Sequence, residues 1–446
     1  MRQERTVQGT LFDIFAEHEI GRELKAMSRW LDEHREVLSL AVADLRRHGL
    51  KDTGRHGLAA ETVLRCALLK QHRQLSYEEL AFHLEDSASF RAFARLPLGW
   101  SPKKSVLQRT ISGLGAVLWE TINRAMMDSA RRHNVEDGSL VRIDSTVTAA
   151  LMHAPTDSSL LWDAVRVMVR ILKKADELLG GTLPRWRNCR RLAKKRAVAI
   201  QYIRGQRQRA ELYRDLVAAT RATMTSLRCA VQHLLVHPSL EAVALRCEAE
   251  HYLPLIARII DQTERRVFAG EAVPADEKLV SLFETHADII VKGGRDTHYG
   301  HKLNLTTGRS GLILDVVIEA GNPADSSRFL TMLERHVAHH DAPPRQTSAD
   351  GGYASTANLK RAKALGVEDV AFHKKCRLAV EDMVKNRQMY RKLRNFRAGI
   401  EANISCLKRA FGLRRCTWRG LAHFHSYVWA SVVAYNLALF TTLAQP

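Results

Sequence analysis

Three things are scarce in this chain of 446 residues: cysteines in a pairable pattern, long uncharged apolar runs, and acids to balance its bases. The seven cysteines are odd in number, scattered from Cys66 to Cys416, and form no C-x-x-C. That pattern excludes a zinc framework and a disulfide framework, and reduced thiols in a cytoplasm fit it best. No run of 18 uncharged apolar residues is read, so no bilayer span is expected. The opening Met1-Arg-Gln-Glu-Arg-Thr-Val-Gln8 has no apolar core, so no secretory signal is expected either. The shortage of acids says most. Lys and Arg number 68 against 48 Asp and Glu, a net charge of +20. A soluble chain with that excess calls for a polyanionic partner, and nucleic acid is favoured over a membrane surface.

What is present is a sizeable core: 46% of residues are hydrophobic, and the length suggests two or three domains. Residues 1–135 read as a helical N-terminal domain. Helical spacing covers Phe12–Glu19, Arg22–Arg47 and Leu58–Lys70, and Ser76-Tyr-Glu-Glu79 is a capping box that opens another helix. A long helix is expected from Ser105 to about His133. Short helices with short links suit a helix-turn-helix unit, and they suit an ordinary bundle as well. The pattern then changes. Ser139-Leu-Val-Arg-Ile-Asp144 reads as a short strand ending in an acid. Residues 156–285 form a helical insert with a dense basic run. Arg190, Arg191, Lys194, Lys195 and Arg196 stand in a stretch with no acid between Glu177 and Glu211. It is either a solvated face or a phosphate-binding one. From 286 to 446 the reading is α/β. A hairpin spans 298–306 and 312–319, strands follow at 345–349 and 367–372, and a helix carries Glu401. An apolar helix, 421–443, ends the chain. With residues 136–155 this makes a mixed α+β domain: a five-stranded mixed sheet flanked by helices, in the ribonuclease-H-like order.

Asp144 and Asp350 each end an expected strand, at the carboxyl edge where α/β sheets bind ligands. Glu401 lies on a helix expected beside that edge, on one stripe with Arg397 and Lys408. Three converging carboxylates repel one another unless something positive sits among them. All-oxygen ligands suit Mg²⁺ or Mn²⁺. Each acid also has a plain structural reading: a turn at Asp350-Gly-Gly, a cap at Asp144, an exposed i,i+4 face at Glu401. Asp315 and Asp325 are weaker rivals for the metal. His336, His339 and His340 end a helix, where histidines are favoured without any metal.

Three motifs in order resemble the DDE transposases of bacterial insertion sequences, closest to the ISNCY-type group. They are Ile143-Asp144-Ser145-Thr146, Asp350-Gly-Gly-Tyr353, and Arg397-x3-Glu401-x6-Lys408. Residues 59–115 also resemble the helical N-terminal domain of that family. The resemblance implies metal-dependent DNA cleavage at the element ends and strand transfer into target DNA, by Asp144, Asp350 and Glu401 holding Mg²⁺ or Mn²⁺. It implies double-stranded DNA as partner, both terminal inverted repeats and target, with a homodimer or higher oligomer pairing the ends in the cytoplasm. Arg397 and Lys408 would contact phosphates near the end. Tyr353, Thr146 and Lys302 would line the site. The signature's tyrosine should fall at position 394, where this chain has Arg394, counted here as a DNA contact; Tyr390 could substitute one turn earlier. A DNA-binding regulator without catalysis, a decayed transposase, and a plain nuclease of the same fold remain the alternatives.

Overall fold

A computed structural model describes residues 18–46, 57–97, 99–292, 296–373 and 377–444. The expected helical start at 12–17 and Cys376 lie outside these. The chain divides into two compact units: residues 1–151 with 301–446, and residues 152–300.

The first unit opens with helices α1 (Glu19–Glu33), α2 (Glu36–Arg46), α3 (Ala60–His72), α4 (Tyr77–Asp86), α5 (Ala88–Phe93), α6 (Lys104–Ile111) and α7 (Ala116–Arg132). Ser76 and Glu79 form the expected capping box on α4. The expected long helix over 105–133 is two helices. The break falls at Gly115, whose N–H donates to Asp44 Oδ2 of α2 at 2.5 Å, so a distant carboxylate caps α7. α3 is buried on every side, charged residues included. Its Arg65 pairs with Glu61 and Asp32, each at 3.0 Å.

These helices do not close a core of their own. The last helix, α16 (Leu421–Leu443), packs against α1, α3 and α7, so the N-terminal helices and the chain's end share one core and one compact unit. α16 contains no Asp, Glu, Lys or Arg and is long and apolar enough to cross a membrane, contrary to the reading that no such run exists. Burial decides its role, since 83% of its most apolar window lies inside the protein.

The sheet contains β1 (Leu140–Ala149), β2 (Asp288–Lys292), β3 (Asp296–Thr307), β4 (Ile313–Ile318), β5 (Gln346–Ala349) and β6 (Asp369–Phe372). It has six strands rather than five, in the order β2-β3-β1-β5-β6, with β4 also on β3. β1, β5 and β6 are parallel; β2 and β4 run antiparallel to successive halves of β3. The edge strand β4 is closed off by Asn436 of α16. That side chain accepts from Ile313 N–H and donates to Ile313 C=O, both at 2.8 Å, and donates to Asn123 of α7 at 2.7 Å. The sheet is flanked by α12 (Phe329–His340), α13 (Thr356–Ala364) and α15 (Arg387–Ala410), with the short α14 (Val380–Met383) before α15.

The second unit holds α8 (Asp157–Leu178), α9 (Arg190–Tyr202), α10 (Gln206–Leu235), α11 (Leu240–Val267), β2 and the start of β3. It has its own core, built from residues such as Leu161, Ile171, Leu216, Leu227 and Ile259. It is therefore wider than the helical insert expected at 156–285.

Candidate active site

Register brings the first two acids together. The last paired residues of β1 and β5 are Ile143 and Ala349, so Asp144 and Asp350 come next on adjacent parallel strands. β1 does not end at Asp144. The β-branched run Val147-Thr148 suits a strand, and β1 continues to Ala149. There Ala149 exchanges hydrogen bonds with Arg414 and Cys416. Asp350 instead leaves its strand and caps the 3-10 turn Gly351–Tyr353.

The third acid arrives on α15, capped by Asn386. Its buried stripe is Tyr390, Leu393, Arg397, Ile400 and Leu407. Arg142 of β1 fixes this helix on the sheet. Its guanidinium donates to Phe396 C=O at 2.8 Å, to Asn403 at 2.7 Å and to Thr307 at 2.8 Å. Gly399 permits that approach, since a Cβ there would lie 2.2 Å from Arg142 Nη1.

Asp144, Asp350 and Glu401 converge on one side chain, Arg397. Its Nη2 lies 2.7 Å from Asp144 Oδ2 and 3.7 Å from Asp350 Oδ1, and its Nη1 lies 2.9 Å from Glu401 Oε1. Side-chain exposure rises from 12% at Asp144 through 40% at Asp350 to 66% at Glu401, so the site opens toward solvent on the helix side. The Arg397 Nε is buried without a hydrogen-bond partner. Two carboxylate oxygens on one Nη2 cannot be more than about 6.5 Å apart, compatible with an ion pair spaced ~4 Å. The three carboxylates already gather round a cation, and their oxygen donors suit a hard divalent ion.

A fourth carboxylate stands beside them. Asp325 Oδ2 is 3.5 Å from Ser145 Oγ, and its Oδ1 pairs with Lys302 at 2.5 Å. Lys302 also donates to Pro323 C=O at 2.8 Å. Three expected site-lining residues are thus not presented to DNA. Lys302 is buried and paired, Thr146 is buried, and Tyr353 is fully buried with its hydroxyl donating to Asn304 at 2.5 Å. Burial, and then the charges of Asp325 and Asp144, push the Tyr353 phenol well above its ordinary range. These residues support the site from beneath.

Tyr390 does not take the place of a tyrosine at 394: it is buried and donates to Phe372 C=O at 2.8 Å. Arg394 is exposed one turn before Arg397. Lys408 is half-buried, two turns beyond Glu401. On α9, Arg190, Arg191, Lys194 and Lys195 are exposed, and Arg196 is half-buried and paired with Asp215 at 2.9 Å. The rival Asp315 is held by Arg335 at 2.6 Å, beside Glu120 and His339. His336 and His340 stack at 4.3 Å, and burial pushes them down to about 3 and about 4.

The sequence marks Asp325 only as a weaker rival for the metal, and nothing local in it distinguishes Arg142. Gly399, the one glycine of α15, was the available sign of close approach.

Two family models match the chain. Residues 257–437 match the Transposase DDE domain, and residues 13–112 match the Transposase domain (DUF772). The first match takes in Asp350 and Glu401, while Asp144 lies before it. No curated protein and no solved structure matches the chain. Both matched domains are transposase domains, they lie in order, and together they take in more than half of the sequence: the chain belongs to the DDE transposases of insertion sequences.

Proposed function

We propose that this transposase cuts DNA at the ends of its element and joins the freed 3′ ends to target DNA, with Asp144, Asp350 and Glu401 as catalytic carboxylates and Mg²⁺, or Mn²⁺, as cofactor. DNA is the partner the family implies, and DDE transposases act with a divalent metal. The observation that carries the reading is the convergence of three carboxylates, from two strands and a helix, on the Arg397 guanidinium. Asp144 and Asp350 would hold the metal from the sheet edge and Glu401 from α15. When bound, such an ion activates an attacking hydroxyl and neutralises charge that builds on the phosphate. The chain's own part is positioning and electrostatics. Arg397 neutralises the acids in the structure described here, and with the acids otherwise occupied it turns to a DNA phosphate. Arg394, with Arg190, Arg191, Lys194 and Lys195, meets backbone phosphates on exposed faces. Two ends are held by a homodimer or higher oligomer.

The test incubates the protein with a duplex carrying the inverted repeat that flanks its gene, a target plasmid and Mg²⁺. Cleaved ends and joined products are expected. Asp350→Asn removes both while band-shift binding persists. Strand transfer by Asp350→Asn at the wild-type rate overturns the site, and cleavage without joining makes the protein a nuclease.

A further inference from the structure

α3 ends in a buried lysine with no acid in direct contact among the described residues; the charge of Glu79 acts on it only at a distance. Lys70 is 5% exposed, and its Nζ faces the rings of Tyr77 at 4.8 Å and Trp418 at 6.0 Å from their centroids. Among the described residues it has no hydrogen bond or ion pair. Two aromatic faces compensate part of the cost of burying an ammonium group, but not the whole. Burial accordingly pushes Lys70 down to about 8.

Lys70 opens into a cavity of about 650 Å³, whose other basic lining residues are Lys408, Arg409, Arg414 and Arg415. The one acid on its wall, Glu79, is engaged by the Ser76 N–H at 2.7 Å in the capping box of α4. The wall is held rigidly. Gly412 has φ +76°, and a Cβ there would meet the Tyr427 hydroxyl at 2.6 Å, while Cys416 N–H donates to Ala149 at the end of β1 at 2.8 Å. The cavity is therefore tied to the strand of Asp144 and, through α15, to Glu401. Lys408 lies seven residues past Glu401, about 10 Å along the helix and on nearly the same face. With one phosphate per 3.4 Å on each strand, that span is about three nucleotides.

We propose that this cavity takes a backbone phosphate of the element-end DNA, about three nucleotides from the phosphate at the triad, with Lys70 as the positioning residue that grips it. The nucleotide count rests on reading Asp144, Asp350 and Glu401 as the reaction centre; the anion site itself does not. It gives the N-terminal helices a direct hold on the DNA close to the chemistry.

The experiment measures binding of the full chain to the end duplex by fluorescence anisotropy in EDTA, across a range of KCl concentrations. Lys70→Met removes the charge and keeps the length of the side chain. It should weaken binding by about ten-fold and lower the slope of log affinity against log salt by about one. Lys70→Arg should retain the slope. A merely structural lysine predicts an unchanged slope. Should Lys70→Met fail to fold, Arg414→Gln on the exposed rim carries the same slope test. An unchanged slope in the folded variant overturns the proposal. So does weakened pyrophosphate binding beside an unchanged DNA slope, which marks a small-anion site. Asp350→Asn separates the two readings: failure of the triad appears in its cleavage products, and failure of the phosphate site appears in the Lys70 salt slope.

Discussion

Arg397→Met should make this protein less stable without metal and more responsive to it. The guanidinium is the shared counter-charge of Asp144, Asp350 and Glu401. Removing one partner of a buried pair costs about 3–5 kcal/mol because the other charge is left without compensation. Only the Asp144 contact is of that kind. The Glu401 contact is mostly exposed and contributes ~0–1 kcal/mol. In wild type a divalent ion must compete with the guanidinium for the same oxygens, and in the variant it need not. If that competition is worth about 2 kcal/mol, the variant binds Mg²⁺ roughly 30-fold more tightly. With a wild-type Kd of ~10 mM, ~10 mM Mg²⁺ stabilises wild type by about 0.4 kcal/mol and the variant by about 2 kcal/mol. Thermal unfolding in EDTA and in MgCl₂, followed by intrinsic fluorescence, reads both effects. The expected result is a lower midpoint in EDTA and a clearly larger rise with Mg²⁺ than in wild type. Equal Mg²⁺ shifts in the two proteins would refute the claim that arginine and metal share one set of oxygens.

Gly399→Ala puts a methyl group within 2.2 Å of Arg142 Nη1, so the guanidinium must give up its bonds to Phe396 C=O and Asn403 that fix α15 on β1; stability should fall by about 1–3 kcal/mol in urea titrations and DNA cleavage should fall with it, while Ala398→Ser on the exposed face leaves both unchanged. Asn436→Leu takes the acceptor from the Ile313 N–H and the donor from Asn123 Oδ1 in the core, while Asn123 Nδ2 still reaches the Ile313 and Leu314 carbonyls, and about 3 kcal/mol should be lost in the same assay. His336 and His340 are held neutral by burial, with folded pKa values of about 3 and about 4 against an ordinary 6.5. Below pH 6.5 the unfolded chain takes up protons that the folded one refuses, so stability is full above that pH and falls progressively toward pH 4. The double variant His336→Leu/His340→Leu should flatten that fall, and an unchanged pH profile counts against it.

A strand leading into Asp144 and a turn opening at Asp350 were legible because side-chain alternation and turn chemistry are local. Asp144 follows an alternating run, Asp350 opens a Gly-Gly turn, and parallel pairing sets them side by side without further help. The extent of β1 was not legible. Its second half is fixed by Arg414 and Cys416, more than 260 residues away in the chain. The core of the first unit escaped for the same reason. Helical spacing identifies α3, α7 and α16 one at a time, and says nothing of their packing as one group. Asp325 carries a local explanation, an acid opening a helical turn, that is satisfied whether or not Ser145 and Lys302 lie beside it.

Arg397 shows how far a periodic reading reaches. Its stripe also holds Tyr390, Leu393, Ile400 and Leu407, all buried, and an arginine inside an apolar stripe can remain there only if carboxylates meet it. Sequence spacing alone favoured an exposed face paired with Glu401. The pair exists at 2.9 Å, but on the margin of the buried stripe, with Asp144 closer at 2.7 Å from the opposite side. The same guanidinium therefore belongs to both descriptions: it is the helix's ion pair and the site's counter-charge. Its buried Nε has no partner, so the carboxylates do not exhaust its donors. A phosphate approaching from the open, Glu401 side meets an arginine already desolvated and aimed at the acids. If the three acids hold the metal as proposed, that orientation would link metal binding to the grip on DNA through one side chain rather than through a movement of the fold.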